Sequence, residues 1–404
     1  MIQPSPRLDD ALTAVYAVSG SRDPERQARD IAVGMTVGSW TDLPALDQER
    51  LRSYLGQVVA VEPGEPARIT IAYPSCNLPP RLSALLTVAF GKVSLDGAIR
   101  LVDVTLPGSW ADRLPGPSHG VSGLRERLGV FWRPLLMSIF KSENGRTLDE
   151  FREALRAQWE GGADLVKDDE IFMAEDAAPA EDRVRAARDL AEDLRARTGS
   201  VHVYVVNLSG YGLKAPSRAE ELMAAGAEAF LVSPWASGLD VLADVASLPG
   251  RPLILSHPAF TGAFIGSSDR GVAPSVALGT LVRAAGADIG IFPSAYGSVA
   301  LRPGDASAVG RALTVPGSRR SAWPAPSAGI HPGLVGRLQR DFGRDVVINA
   351  GGAIHGHPGG TLSGARAFRQ AIDRSEARLG GRVVDAPPAE LAAALARWGG
   401  EEDA

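Results

Sequence analysis

Of the 404 residues only one is cysteine, Cys76. A single thiol excludes an internal disulfide and any metal site built from a cysteine cluster. No run of about 18 apolar residues occurs, so no membrane-spanning helix is expected. The N-terminal stretch MIQPSPRLDDAL lacks the basic-then-apolar order of a secretory signal, and export by that route is not expected. Positive charge is not in excess either. The formal net charge is −5, which argues against a general nucleic-acid binder with its basic surface. These absences leave a soluble cytoplasmic protein with neither nucleic acid nor membrane as partner. The length suggests two or three domains with a sizeable core, and an enzyme is the expectation.

Lysine is scarce. Lys92, Lys141, Lys167 and Lys214 are the only four, so arginine supplies the other 38 of the 42 basic residues. Codon bias explains arginine wherever any cation will do. A lysine, unlike an arginine, can lose its proton and act as base or nucleophile. Each surviving lysine is therefore a candidate for chemistry that arginine cannot perform.

Residues 1–125 read as an α+β domain. ALTAVYAVSG, VVAVEP, ARITIAYPS and AIRLVDVTLP look like strands, and 26–35 and 78–89 look helical. Glycines and prolines in LPGPSHG (114–120) mark a boundary. Residues 126–404 alternate short apolar runs with helical stretches. The runs are 135–140, 163–170, 202–209, 229–234, 252–258, 288–294, 323–331 and 346–356. Strands apolar throughout, alternating with helices, imply a parallel sheet covered on both faces. Eight such units predict a (β/α)8 barrel, with a doubly wound open sheet as the alternative. No Gly-rich dinucleotide fingerprint follows the first run. PAELAAALARWGG near the end reads as one more helix, followed by a frayed end.

Barrel active sites lie at the C-terminal ends of the strands. Those ends carry Lys141, Lys167-Asp168-Asp169-Glu170, Asn207, His257, Ser327-Ala328-Gly329 with His331, and Gly351-Gly352. In the Lys-Asp-Asp-Glu stretch, alternate residues share a face, so Lys167 and Asp169 point together with Glu170 at the turn. Their carboxylates suit Mg²⁺, provided that Lys167 offers oxygen rather than ammonium. A carbamate formed with CO2 would do so. A plain lysine–carboxylate salt bridge is the competing reading. The glycine ends suit a phosphate held by backbone N–H groups, or are simply barrel turns.

Taken together, GGADLVKDDE, SAGIHPG and AGGAIHGHPGG resemble the metal and phosphate strands of the RuBisCO superfamily. GSWTDLPAL, AFGKVSLDG, RPLLMSIFK and YGSVAL extend the resemblance over about residues 38–360. The sequence is most similar to the RuBisCO-like 2,3-diketo-5-methylthiopentyl-1-phosphate enolases of methionine salvage. The resemblance implies a ferredoxin-like α+β N-terminal domain before a C-terminal (β/α)8 TIM barrel. It implies one Mg²⁺ per subunit, held by carbamylated Lys167, Asp169 and Glu170. It implies Lys92 as the base, a homodimer in which Lys92 serves the partner's barrel, and a phosphorylated diketone as substrate. Lys141 would assist catalysis and hold substrate oxygen or phosphate. His257, Ser327, Gly329, Gly351 and Gly352 would complete the substrate site.

Departures qualify the activity. Ile139 stands where carboxylating RuBisCO has a second lysine, and the strand-6 loop FPSAYGSVALRPGD holds no lysine, so CO2 fixation is not expected. Ala353 replaces the third glycine of strand 8, and Ser233-Pro234-Trp235 departs from the enolase pattern at strand 4. These two leave open an isomerase or decarboxylase of another sugar phosphate. A phosphate-binding barrel without catalysis is a third reading, disfavoured by the retained lysines. Trp235 is read as pocket wall or as packing between helices. His355 and His357 are read as turn histidines. His119, His202 and Cys76 carry no assigned chemistry, and Lys214 reads as a solvated loop cation.

Overall fold

The structure is a computed structural model that describes residues 10–38, 48–297 and 299–400. Most of GSWTDLPAL, Ser298 of YGSVAL and the end after 400 lie outside the described residues. The first unit is a sheet of β1 (Ala11–Val18), β2 (Gln57–Glu62), β3 (Ala67–Pro74) and β4 (Ile99–Thr105). Its order is β4-β1-β3-β2, with antiparallel neighbours. Helices Pro24–Gly34 and Leu82–Leu86 fall between β1 and β2 and between β3 and β4. That β-α-β-β-α-β arrangement is ferredoxin-like, as expected. Residues of β1 alternate between full and partial burial, which gives the sheet one core face. Asp23 caps the first helix by accepting the Arg26 N–H at 2.9 Å, with Pro24 opening it. The helix expected over 78–89 is shorter. It gives way to a π-helical turn, Thr87–Gly91, and a 3₁₀ turn that begins at Lys92.

All eight predicted barrel strands form. They are β5 (Leu135–Ile139), β6 (Leu165–Lys167), β7 (Val203–Asn207), β8 (Ala229–Val232), β9 (Leu253–Ser256), β11 (Ile289–Pro293), β12 (Trp323–Ser327) and β13 (Val347–Ala350). The parallel sheet runs β12-β11-β9-β8-β7-β6-β5-β13. Between β9 and β11 the two-residue β10 (Gly271–Val272) leaves the barrel and pairs with β4, tying the two units together.

Strand alternation splits the core in two. Leu135, Met137, Leu165, Val203, Val205 and Leu231 fill the barrel interior. Their neighbours Leu136, Val166, Val206, Phe230 and Val232 face the surrounding helices. Each such buried aliphatic or aromatic side chain contributes about 1.5–3 kcal/mol. Leu124 and Leu128, on the helix Gly120–Leu128, plug the bottom. Buried Asp288 fixes that plug by accepting N–H groups of His119 at 2.7 Å, Gly120 at 2.8 Å and Ile254 at 3.0 Å.

The seam between β12 and β13 has a sequence cause. Trp323 donates to Asp288 and Ser327 accepts from Ser294, so odd residues of β12 bond toward β11. The even positions face β13 and are Pro324 and Pro326, which have no N–H to give. At the top of the seam Asn349 Nδ2 donates to Ser327 Oγ at 3.0 Å.

Candidate active site

A cavity of about 1090 Å³ opens at the C-terminal ends of the barrel strands. Lys141, Glu170, His257, Ser327, Gly329, Gly351 and Gly352 all line it, with Gly351 beside Lys141 on the neighbouring strand end. The barrel thus gathers on one cavity Lys141, Glu170, His257, Ser327, Gly329, His331, Gly351 and Gly352, with Lys167 and Asp169 beside Glu170 and Lys141, while Asn207 does not line it.

Lys167 ends β6 and its side chain is 0% exposed. Its Nζ donates to the Asp168 carbonyl at 3.0 Å and lies 4.0 Å from Glu170 Oε2. Burial pushes its ammonium below the ordinary lysine value, although Glu170 and Asp169 pull the other way. A lysine held toward its neutral form is the reactant that CO2 requires. Lys141 Nζ donates to Asp169 Oδ2 at 2.6 Å. Burial raises the Asp169 carboxyl, but hydrogen bonds from Glu170 and Lys141 outweigh it and the net shift is downward. Burial also raises the Glu170 carboxyl. His257 Nδ1 accepts the Ala259 N–H at 3.2 Å. The neutral ring therefore carries its proton on Nε2, 3.2 Å from Glu170 Oε2. Burial, then the charge of Lys167, holds that imidazole well below its ordinary pKa.

Among the described residues no three His, Cys, Asp or Glu side chains form a ready metal cage. The site offers two carboxylates around one amine. That donor set would fit a hard divalent cation only if Lys167 carried oxygen, which a carbamate would supply. At the end of β13 the short helix Gly352–His355 begins, with the Ile354 and His355 N–H groups bonded to the Gly351 carbonyl at 3.0 and 3.1 Å, so that of its first turn only the Gly352 and Ala353 N–H groups are left for a ligand. A Cβ at Gly351 would lie 3.0 Å from Lys141 Cε, so glycine there makes room for that lysine. Gly297 of the strand-6 loop passes so close to Ala328 that a Cβ would meet its carbonyl oxygen at 1.5 Å.

Lys92 is exposed and does not line its own chain's cavity. Trp235 is packing, not pocket wall. Its Nε1 donates to the Ala277 carbonyl at 3.1 Å and its ring lies 4.9 Å from that of Phe264. His355 and His357 are tied to backbone carbonyls of Ile139 and Glu390, as expected of turn histidines. His331 lines the cavity, and Lys214 is an exposed cation.

Arg183 and Glu143 bear no mark in the sequence, and Asp168, though at a strand end, takes a part that the sequence did not assign. Asp168 points away from the cavity, where it accepts from Arg183 Nη2 at 3.3 Å, the Asn207 N–H at 3.1 Å and the Tyr204 hydroxyl. Arg183 also donates to Tyr204 at 3.0 Å and stacks 4.6 Å over Phe172. Glu143 is buried and accepts the Asp169 N–H at 2.7 Å. Burial, with the Asp168 carboxylate nearby, pushes its carboxyl up to about 10. Only strand alternation hinted at the direction of Asp168. Nothing local marked Arg183 or Glu143.

Residues 120–298 and 317–398 match the ribulose bisphosphate carboxylase large chain, catalytic domain. The chain belongs to the RuBisCO large-chain family. Within it, a relative from Geobacillus kaustophilus named 2,3-diketo-5-methylthiopentyl-1-phosphate enolase is 45% identical, over 96% of this chain and 98% of its own. One of the same name from Exiguobacterium sibiricum is 46% identical over the same shares. The crystal structure of a rubisco-like protein from Alicyclobacillus acidocaldarius superposes with TM-score 0.87 at 46% identity, covering 96% and 100% of the two chains. A ribulose-1,5-bisphosphate carboxylase/oxygenase from Pyrococcus horikoshii has TM-score 0.86 at 31% identity, covering 96% and 93%. In this RuBisCO-like chain, Ile139 and the lysine-free strand-6 loop both line the cavity. Of the other two departures, Ala353 lines it and Trp235 does not.

Proposed function

We propose that this RuBisCO-like enzyme is a Mg²⁺-dependent enolase. Its substrate would be 2,3-diketo-5-methylthiopentyl 1-phosphate and its product the 2-hydroxy-3-keto enol of methionine salvage, an isomerisation without CO2 fixation. The observation that carries the reading is Lys167, a wholly buried amine beside Asp169 and Glu170, under a cavity that Ser327, Gly329, Gly351 and Gly352 also line. The names of the relatives, at 45–46% identity over nearly the whole chain, supply the substrate. Lys167 as carbamate, Asp169 and Glu170 would hold one Mg²⁺ per subunit. When bound, the cation supplies Lewis-acid stabilisation of negative charge on the substrate's vicinal oxygens.

The chain's own residues do the rest. Lys92 Nζ takes a proton from C1, the electron pair forms the C1–C2 double bond, and the C2 oxygen gains a proton. Lys141 places a point charge beside substrate oxygen. His257 keeps Glu170 oriented through its Nε2–H. Ser327, Gly329, Gly351 and Gly352 bind the phosphate. Because Lys92 is exposed and absent from its own cavity, it would serve the barrel of a second copy in a homodimer. Division into residues 1–125 and 126–404 belongs to the same reading, with the helix Gly120–Leu128 as the joint. No helix among the described residues is long and apolar enough to cross a membrane, and a cytoplasmic location is part of the proposal. Isomerisation or decarboxylation of another sugar phosphate rests on Ala353, which of the two departures from the enolase pattern is the one that lines the cavity.

Lys92→Arg tests the base. Arginine keeps the charge but cannot be deprotonated, so C1–H exchange with deuterated solvent should fall by about 10²–10⁴-fold while phosphate-dependent binding survives. Mixed with Lys167→Ala chains, it should regain activity, because a shared-site heterodimer contains one intact site. Wild-type exchange by Lys92→Arg on this diketone would favour the other sugar phosphate. Absence of regain despite proven subunit exchange would remove the shared site.

A further inference from the structure

The N-terminal face of the barrel, opposite the catalytic mouth, holds a second cavity of about 840 Å³. It lies between the linker 111–118, the turn 247–251 before β9 and the loop 318–320 before β12. Arg113, Arg251, Arg319 and Arg320 line it, against the single carboxylate of Asp112. A local excess of positive charge stands out in a chain of net charge −5. Most other arginines of the protein sit beside a carboxylate. Among the described residues these four form no ion pair.

Two of the four guanidinium groups, those of Arg319 and Arg320, and the backbone of Arg251 are also held in place. Buried Arg283 donates from Nη2 to the Arg319 carbonyl at 2.7 Å and from Nε to the Arg320 carbonyl at 2.9 Å, which fixes the loop that carries both. Arg319 Nη2 donates to the Trp110 carbonyl at 3.0 Å and Arg320 Nη1 to the Ser118 carbonyl at 3.2 Å. Arg319 Nε is buried without a partner. Arg251 occupies the left-handed region at φ 50°, and its carbonyl is anchored by His119 Nε2 at 2.9 Å. A bulky residue kept in that region is strained, and such strain collects at ligand sites. Guanidinium groups fixed by backbone bonds lose little freedom on meeting an anion, and planar donor forks suit phosphate oxygens.

We propose that this cavity is a binding site for a compact polyphosphate, a pyrophosphate or nucleoside diphosphate group, separate from the catalytic phosphate cradle. One phosphate would leave part of the charge unpaired, and the four arginines are confined to one cavity rather than spread along a track for an extended nucleic-acid strand. The class covers two sources, inorganic pyrophosphate and a nucleotide.

Titration calorimetry on the full chain tests it with pyrophosphate, orthophosphate and ADP. Pyrophosphate should bind more tightly than orthophosphate and weaken as salt rises. The double variant Arg251→Gln/Arg320→Gln should weaken it at least tenfold, leaving enolase turnover and melting temperature unchanged. Lys141→Met, at the catalytic cavity, should leave this binding intact. Arg320→Gln alone, at an exposed position, gives the same reading with a smaller loss should the double variant fold poorly. Tighter binding of ADP than pyrophosphate would assign the nucleotide, and equal binding the inorganic ion. Undiminished pyrophosphate affinity in the arginine variants would overturn the site. So would affinity lost in Lys141→Met, or tighter binding of a single-stranded oligonucleotide than of pyrophosphate.

Discussion

Replacing Glu143 by glutamine isolates the cost of a buried carboxyl beside the lysine–carboxylate cluster. In the folded chain burial, then Asp168, pushes its pKa from 4.5 up to about 10. A raised carboxyl pKa means that the folded state binds the proton more tightly. Its contribution to stability is complete below about pH 4.5 and is lost as pH rises toward about 10. Inside that window each pH unit costs about 1.4 kcal/mol. Between pH 5 and pH 8 the wild type should therefore lose about 4 kcal/mol at this one site. Glutamine keeps an acceptor for the Asp169 N–H, now 2.7 Å from Glu143 Oε2, and never ionises. Thermal unfolding of both proteins in EDTA, where no cation offsets the charge, is the assay. The melting temperature of Glu143→Gln should gain steadily on wild type as pH rises from 5 to 8. Glu143→Ala should instead lose about 1–3 kcal/mol at low pH, because the buried Asp169 N–H is left without its acceptor. A gap between wild type and Glu143→Gln that does not change with pH would refute the argument.

Lys167→Met keeps a side chain of similar length, so the fold should survive while Mg²⁺- and CO2-dependent activity disappears. Trapping of ¹³CO2 on the protein should vanish with it, and full wild-type activity in EDTA or in CO2-depleted buffer would contradict the carbamate. Arg183→Met leaves Asp168 buried without its charge partner, and urea unfolding should show a loss of about 3–5 kcal/mol; a change within 1 kcal/mol would mean that Tyr204 and the Asn207 N–H suffice. With Ile139 and no lysine in the strand-6 loop, labelled bicarbonate should not enter any product of ribulose 1,5-bisphosphate. Incorporation above a Lys167→Ala control would show that the loop was misread.

The barrel was legible because strands buried on both faces are continuous apolar runs, and LILS or VINA can hardly serve elsewhere. Boundaries inside the first unit were less so. The stretch 82–95 changes from α to π to 3₁₀ geometry, which apolar spacing does not distinguish. The Lys167, Asp169 and Glu170 cluster was legible because its three members lie within four consecutive residues. Glu143 and Arg183 were not, since they reach the same place from other elements and only tertiary packing joins them. Trp235 could be read either way until its indole was seen to bond Ala277.

Asp168 and Asp169 show how one short stretch serves two purposes. Successive side chains of an extended segment take opposite faces. Asp169 therefore meets Lys141 at the cavity, and Asp168 meets Arg183 and Tyr204 in the outer layer. The outer aspartate is 0% exposed, and the backbone that it anchors carries both Lys167 and Asp169. Lys167 donates to the Asp168 carbonyl, so the same residue holds the amine by its backbone and the strand end by its side chain. A one-residue slip that put Lys167 in the place of Asp168 would set its ammonium against buried Arg183 with the carboxylate between them gone. That cost fixes the register of β6, and the register in turn aims the amine and the carboxylates at the cavity.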